Sequence, residues 1–219
     1  MSVSRASQET DPHTIASLEE LNALYGVPVT ASVVKVLHRI TPAYATLIAA
    51  SPFCALATCG PEGLDCSPRG DAPREGMHGT VHIENETTIL MPDRRGNNRI
   101  DSLRNIVRDP RVALLFLIPG SGTTVRVNGR ASLTIEPSLL RRFEVDGKAP
   151  RCVIRIAVGE LYFQCARAVV RAGIWQTEKW PNFNVLPTPG TLLAEASEGR
   201  EGGRAYDEAW PKRAAESMW

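Results

Sequence analysis

The chain alternates between two hydrophobic periods. Over the first fifty residues apolar side chains recur three and four apart, the spacing of one helical face. TIASLEEL (14–21) carries the first such face and stops near Gly26, a residue suited to a helix end. Thr30 is placed to cap a second helix through Val33, Val34 and Leu37. Thr41-Pro42 opens a third over 43–50, with Pro where its missing N–H costs nothing. After Ser51-Pro52 the period shortens. FCALATC (53–59), the turn Gly60-Pro61-Glu62-Gly63 and a strand over 64–67 form a hairpin signal. TVHIEN (80–85) and TTILMP (87–92) pair around Asn85-Glu86. VALLFLI (112–118) reads as a buried strand closed by Pro119-Gly120-Ser121-Gly122, and TTVRVNGRASLTI (123–135) as a long alternating one. Pro137 starts a helix through Phe143, and RCVIRIAVGELYFQCARA (151–168) reads as two more strands. At least seven strands with short turns predict a mainly β, closed antiparallel barrel with helical additions. From Trp180 onward Pro, Gly and charge dominate, the composition of an extended tail with little core. The expected organisation is a helical extension over 1–50, a barrel domain over 51–176 and a C-terminal tail over 177–219.

Charge first looks uninformative. The 219 residues hold 25 Lys+Arg against 24 Asp+Glu, which argues against a nucleic-acid partner. No apolar run approaches the roughly 20 residues that span a bilayer. The opening MSVSRASQETDPHT lacks the apolar stretch of a secretory signal, so a cytoplasmic protein without a membrane partner is expected. Yet 21 of the 25 basic residues are Arg, whose planar fork suits phosphate and carboxylate. Codon usage accounts for such a skew unless the arginines cluster. The five cysteines form no CxxC or CxxH pair, and no metal site is expected. Only Cys66, beside Ser67-Pro68-Arg69, has an electropositive neighbour of the kind a reactive thiol needs. His78 and His82 stand four apart across a loop and a strand, which is poor metal-ligand spacing.

The arginines do cluster. Between 93 and 111 lie six Arg and three Asp. PDRRGNNR (92–99) leaves a strand, passes a glycine and enters a helix with Ile100, Leu103 and Val107 on one face, where Asn97 or Asn98 suits the N-cap. A helix N-terminus favours a phosphate, and Arg94, Arg95 and Arg99 crowd this one against the helix dipole. The alternative is a solvated turn with surface ion pairs. SPRGD (67–71) is a second candidate: Arg69 suits a phosphate, and Asp71 suits a ring N–H or a surface pair with Arg69. Trp175 suits either the flank of a flat cofactor or a structural position.

SPRGDAP (67–73), ILMPDRRGNNRIDSLRNIVRDPRVALLF (89–116), TTVRVNGRA (123–131) and FQCARAVVRAGIW (163–175) resemble the FMN-binding split-barrel proteins related to pyridoxamine 5'-phosphate oxidase. The resemblance runs from about residue 30 to 176. It implies a six-stranded antiparallel split β-barrel with N-terminal and peripheral helices, and a homodimer with FMN at the subunit interface. It further implies that Ser67, Arg69 and Asp71 line the flavin, and that Pro92, Asp93 and Arg94 meet the ring edge or ribityl chain. Asn97, Asn98, Arg99 and Ser102 would hold the phosphate, and Trp175 would lie near the ring, in its own site or a partner's. The Arg-Leu-x-Pro substrate motif of true pyridoxamine-phosphate oxidases is absent here, since the chain ends AESMW. The implied function is an FMN-dependent oxidoreductase acting on a small molecule, with no protein acid or base singled out. The alternatives are a non-catalytic flavin-binding or flavin-sensing protein, or a barrel that uses haem or a deazaflavin.

Overall fold

Ser17 opens helix α1 (Leu18–Tyr25) by accepting from the Glu20 N–H at 3.1 Å, while the Glu20 carboxylate accepts from the Ala16 N–H at 2.8 Å. This reciprocal arrangement is close to a capping box. Gly26 ends the helix at φ 69°. Helix α2 (Thr30–Val34) has Val29, not Thr30, at its cap, and no side chain caps it. These helices bury no residue and belong to the first of two units, Met1–Val36, which is distinct from Leu37–Trp219. The computed structural model describes residues 11, 13–72 and 79–218, so Pro73 and His78 lie outside the described part.

In the second unit, α3 (Pro42–Ala49) is capped by the Thr41 hydroxyl. Strands β1 (Phe53–Gly60) and β2 (Gly63–Gly70) form the first hairpin, with Gly63 at φ 120°. Strands β3 (His82–Asn85) and β4 (Thr88–Pro92) form the second. Then come α4 (Asp101–Arg108), β5 (Arg111–Leu117), β6 (Thr124–Thr134), α5 (Pro137–Arg142), β7 (Val153–Gln164) and α6 (Arg167–Ala172). The seven strands pair antiparallel in the order β2-β1-β5-β6-β7-β4-β3.

Two expectations change here. The pairing gives seven strands in an open order, not a closed six-stranded barrel: among the described residues β2 and β3 are edges, because the short β3 pairs only within its own hairpin. The two strands expected within 151–168 are one. Asn128 faces Glu160 and Gly129 faces Val158, so Gly159 is an extra residue, a bulge inside β7. The bulge shifts the inward set from Ile154 and Ile156 to Leu161, as one inserted residue must in a period of two. These side chains join Cys54, Leu56, Val112, Leu114, Phe116, Val125, Val127, Ile89 and Met91 in a core that Ile48 of α3 and Leu103 and Ile106 of α4 cover. Helix α4 lies against β1 where Gly60 leaves room for the Asn105 amide, which donates to Thr58 Oγ1 at 3.1 Å.

Beyond Gln176 the chain is helical rather than extended. Helix α7 (Pro189–Ala196) packs on α8 (Gly203–Glu208), and α9 (Trp210–Ser217) follows. A Cβ on Gly190 would stand 2.3 Å from the Gly203 carbonyl oxygen, so glycine permits that contact. Asp207 accepts from the Gly190 N–H at 2.8 Å and from Thr188 Oγ1 at 2.5 Å. Pro, Gly and charge, which suggested a tail without structure, serve here as helix start, close approach and cap. No described helix is long and apolar enough to cross a membrane.

Candidate functional site

The β2 end, the β4 end and the loop after β4 converge on a cavity of about 250 Å³. Pro68, Arg69, Gly70, Asp71, Thr80, Met91, Pro92, Arg94, Arg95 and Gly96 line it. Period-two geometry explains the meeting: Arg69 pairs with Cys54 across β1, and Asp71 continues by donating its N–H to the Pro52 carbonyl at 3.0 Å. On the other side the Asp93 N–H donates to the Cys152 carbonyl at 3.0 Å, which extends the β4–β7 pairing and delivers Arg94 to the rim.

Two guanidinium–carboxylate pairs cross the cavity wall. Arg69 Nη1 donates to Asp93 Oδ1 at 2.9 Å, and Arg94 Nε donates to Asp71 Oδ2 at 2.8 Å. The second pair is deeper, with side chains 16% and 10% exposed. Arg94 Nη1 also donates to the Phe143 carbonyl at 2.6 Å. Its Nη2 is buried and has no hydrogen-bond partner among the described residues. A buried, unpaired N–H costs about 1–3 kcal/mol, more on a charged group. Because Asp93 and Asp71 neutralise Arg69 and Arg94, these two present donors with little net charge. Arg95 differs: its Nη1 donates to the Glu216 carbonyl at 3.4 Å, and it has no carboxylate partner among the described residues.

The remaining expected residues are placed otherwise. Ser67 and Ser102 meet behind the wall with their hydroxyl oxygens 2.8 Å apart. Ser102, only 3% exposed, donates to Asp65 Oδ2 at 2.5 Å, and Arg69 Nε donates to Ser67 at 3.3 Å. Asn97 and Asn98 do not cap α4. Asn97 accepts from the Arg99 N–H at 3.0 Å in a local turn, Asn98 accepts from Arg151 Nη1 at 3.0 Å, and Ile100 stands at the cap with no side-chain bond. Asn98 and Ile100 have φ 61° and 53°, a left-handed conformation that is costly for a β-branched residue. Arg99 is 79% exposed and pairs with Asp101, Arg108 pairs with Glu62, and Arg111 pairs with Asp109. These three make ion pairs with neighbouring carboxylates, while Arg94 and Arg95 line the cavity. Trp175 is off the cavity, its indole N–H donating to the Ser121 carbonyl at 2.7 Å.

Sequence reasoning missed Asp65, Thr80, Met91 and Gly96. Asp65 left no local signal, since its partner Ser102 is 37 positions away. The thiols nearest the wall are inert. Burial pushes Cys54 up to about 12 against a small opposing effect of Arg69, and burial with the Asp93 charge pushes Cys152 up to about 11. Cys66 is exposed on β2 opposite Ala57. His82 contacts Arg142 at the β3 edge.

Similarity to solved structures is distant. HupZ from Group A Streptococcus is 15% identical, the match covering 57% of this chain and 94% of that one with a TM-score of 0.47. General Stress Protein 26 from Bacillus anthracis is 17% identical, with 54% and 88% covered and a TM-score of 0.40. No curated protein matches the chain. Family-level similarity is decisive where these are not. Residues 40–165, more than half the chain and the whole span from α3 through β7, match the pyridoxamine 5'-phosphate oxidase family, and the protein belongs to it.

Proposed function

We propose that the cavity binds FMN and that the protein is an FMN-dependent oxidoreductase working as a homodimer, with the flavin between subunits. The observation that carries this reading is the convergence of Arg69, Asp71, Arg94 and Arg95 on one cavity, with Arg69 and Arg94 each held by a carboxylate. Two charge-neutralised donors suit the carbonyl oxygens of a flat heterocycle edge better than they suit a dianion. Asp71 shares the cavity lining with them, while Pro92 and Met91 supply the apolar wall. The phosphate belongs with Arg95, which has no carboxylate partner among the described residues. The loop 96–99, with Asn97, Asn98 and Arg99, leads from there to the uncapped start of α4. The cavity is smaller than the roughly 300–1,000 Å³ of ordinary ligand sites, which favours completion by a second copy, and Trp175 then serves as a wall of the partner's site.

Bound FMN supplies electron and hydride transfer. This chain's residues hold the ring edge through Arg69 and Arg94, anchor the phosphate through Arg95 and exclude water through Met91 and Pro92. Hydrogen-bond donors at the ring's carbonyl edge favour the electron-rich form of the ring.

Titration with FMN and with riboflavin, read by quenching of flavin fluorescence, tests the assignment. Arg95→Ala is expected to weaken FMN about 10- to 100-fold, the worth of a charged hydrogen bond, and to leave riboflavin affinity unchanged. Equal losses for both ligands would remove the phosphate from Arg95, and no binding of either to the wild type would sink the flavin reading.

A further inference from the structure

Asp65, Ser102 and Ser67 stand behind the cavity wall, and none of them lines it. Their proton order follows from counting donors. An ionised carboxylate only accepts, so Ser102 gives its single hydroxyl proton to Asp65 at 2.5 Å. In the 2.8 Å contact between the hydroxyls Ser67 must then be the donor. That leaves Ser67 with lone pairs alone toward Arg69 Nε at 3.3 Å. Arg69, which lines the cavity, therefore has two side-chain tethers among the described residues, Nε on Ser67 and Nη1 on Asp93.

We propose that Asp65 and Ser102 are positioning residues for Arg69, acting through a one-way relay of hydroxyl protons that keeps Ser67 an acceptor. With the Asp65 charge in place the relay has one direction. Without it, the Ser102 proton is free to turn to Ser67, the Ser67 proton is freed, and a donor can face the donor at Arg69 Nε. The guanidinium then loses one of its two tethers, and the cavity loses a fixed donor. The relay also ties β2 to the start of α4, so a residue on each element acts on a cavity it does not touch. This inference rests on the flavin reading for its functional meaning, but the relay itself does not.

Two measurements on the full-length protein test it. The first follows the Arg69 Nε–H resonance by NMR without ligand. Asp65→Leu, which keeps the bulk and removes the acceptor, is expected to shift it although Asp65 does not touch Arg69. An unmoved resonance in a folded variant would overturn the relay. The second is a double-mutant cycle on FMN affinity. Asp65→Leu is expected to cost about fivefold, Ser67→Ala about tenfold, and the pair no more than about tenfold, because both break one relay. A pair that loses the product, about fiftyfold, would show two independent structural effects and overturn the proposal. Ser102→Thr, which restores a hydroxyl, is expected to keep wild-type affinity, whereas Ser102→Ala should match Ser67→Ala. If the wild type binds no FMN, the flavin reading fails, and the Arg69 resonance alone decides for or against the relay.

Discussion

Arg94→Met is expected to destabilise the protein by about 3–5 kcal/mol and to abolish FMN binding. The substitution keeps a long apolar stem but leaves the Asp71 carboxylate, 10% exposed, without its guanidinium, and the Phe143 carbonyl without its donor. Breaking a buried pair from one side is costly because the remaining charge stays desolvated. Urea unfolding measures the effect, and the cause is checked by a second variant. Asp71→Asn in the Arg94→Met background removes the charge that Arg94 had faced and is expected to recover part of the loss. No recovery would mean that packing, not the loss of this pair, dominates. Arg94→Lys separates stability from binding: an ammonium can still pair with Asp71, but it lacks the planar fork that Arg94 presents at the cavity wall. It should therefore retain most of the stability and lose most of the FMN affinity.

Gly129→Ala is expected to cost about 2–3 kcal/mol, near the upper end for overpacking. A Cβ there would stand 2.3 Å from the Ala157 carbonyl oxygen, 3.2 Å from its carbon and 3.3 Å from Ile156 Cγ2. The nearest obstacle is backbone, so relief requires β6 and β7 to separate beside the bulge at Gly159. For a chain of this length the melting temperature should fall by roughly 4–12 °C. Gly96→Ala is the matched control, since a Cβ at that position meets nothing within 4 Å. Its melting temperature should stay within about 2 °C of wild type, the range of a harmless surface change. Equal losses at both positions would mean that the close approach at Gly129 is not what requires glycine.

Strand order and site were legible to different depths, for physical reasons. The hairpins were readable because Gly60-Pro61-Glu62-Gly63 and Asn85-Glu86 interrupt the strand-like runs, a purely local signal. The bulge was not, because Gly159 looks like a break between strands until Asn128 and Gly129 are seen pairing on either side of it. Helix α4 was displaced by its own chemistry. Asn97 and Asn98 are good cap residues, but both are spent in the preceding turn, and the buried face includes Ser102 and Asn105 while Val107 is 74% exposed. An apolar-period argument cannot find a face half made of buried polar residues with remote partners. The C-terminal helices were hidden because glycines that permit close packing look, in sequence, like glycines that prevent folding.

The site divides in the same way. Arg69, Asp71 and Arg94 could be singled out because arginine and aspartate alternate near glycine at two strand ends. Their exchange of partners, Arg69 with Asp93 and Arg94 with Asp71, could not be read, since each pair spans more than twenty residues. Ser102 was expected at a phosphate and instead faces Asp65 inside the fold. A carboxylate of the chain itself thus stands at the first turn of α4, and the arginine with no carboxylate partner among the described residues lies one loop earlier, at Arg95.

The central claim is that this cavity holds FMN, completed by a second copy of the chain. Native mass spectrometry of the purified protein after incubation with FMN and removal of excess reads both parts at once. The account predicts a dimer that carries one FMN per chain, with Arg94→Lys dimeric but largely free of FMN. A monomer without FMN, or a species that has retained haem or a deazaflavin in place of FMN, would contradict it.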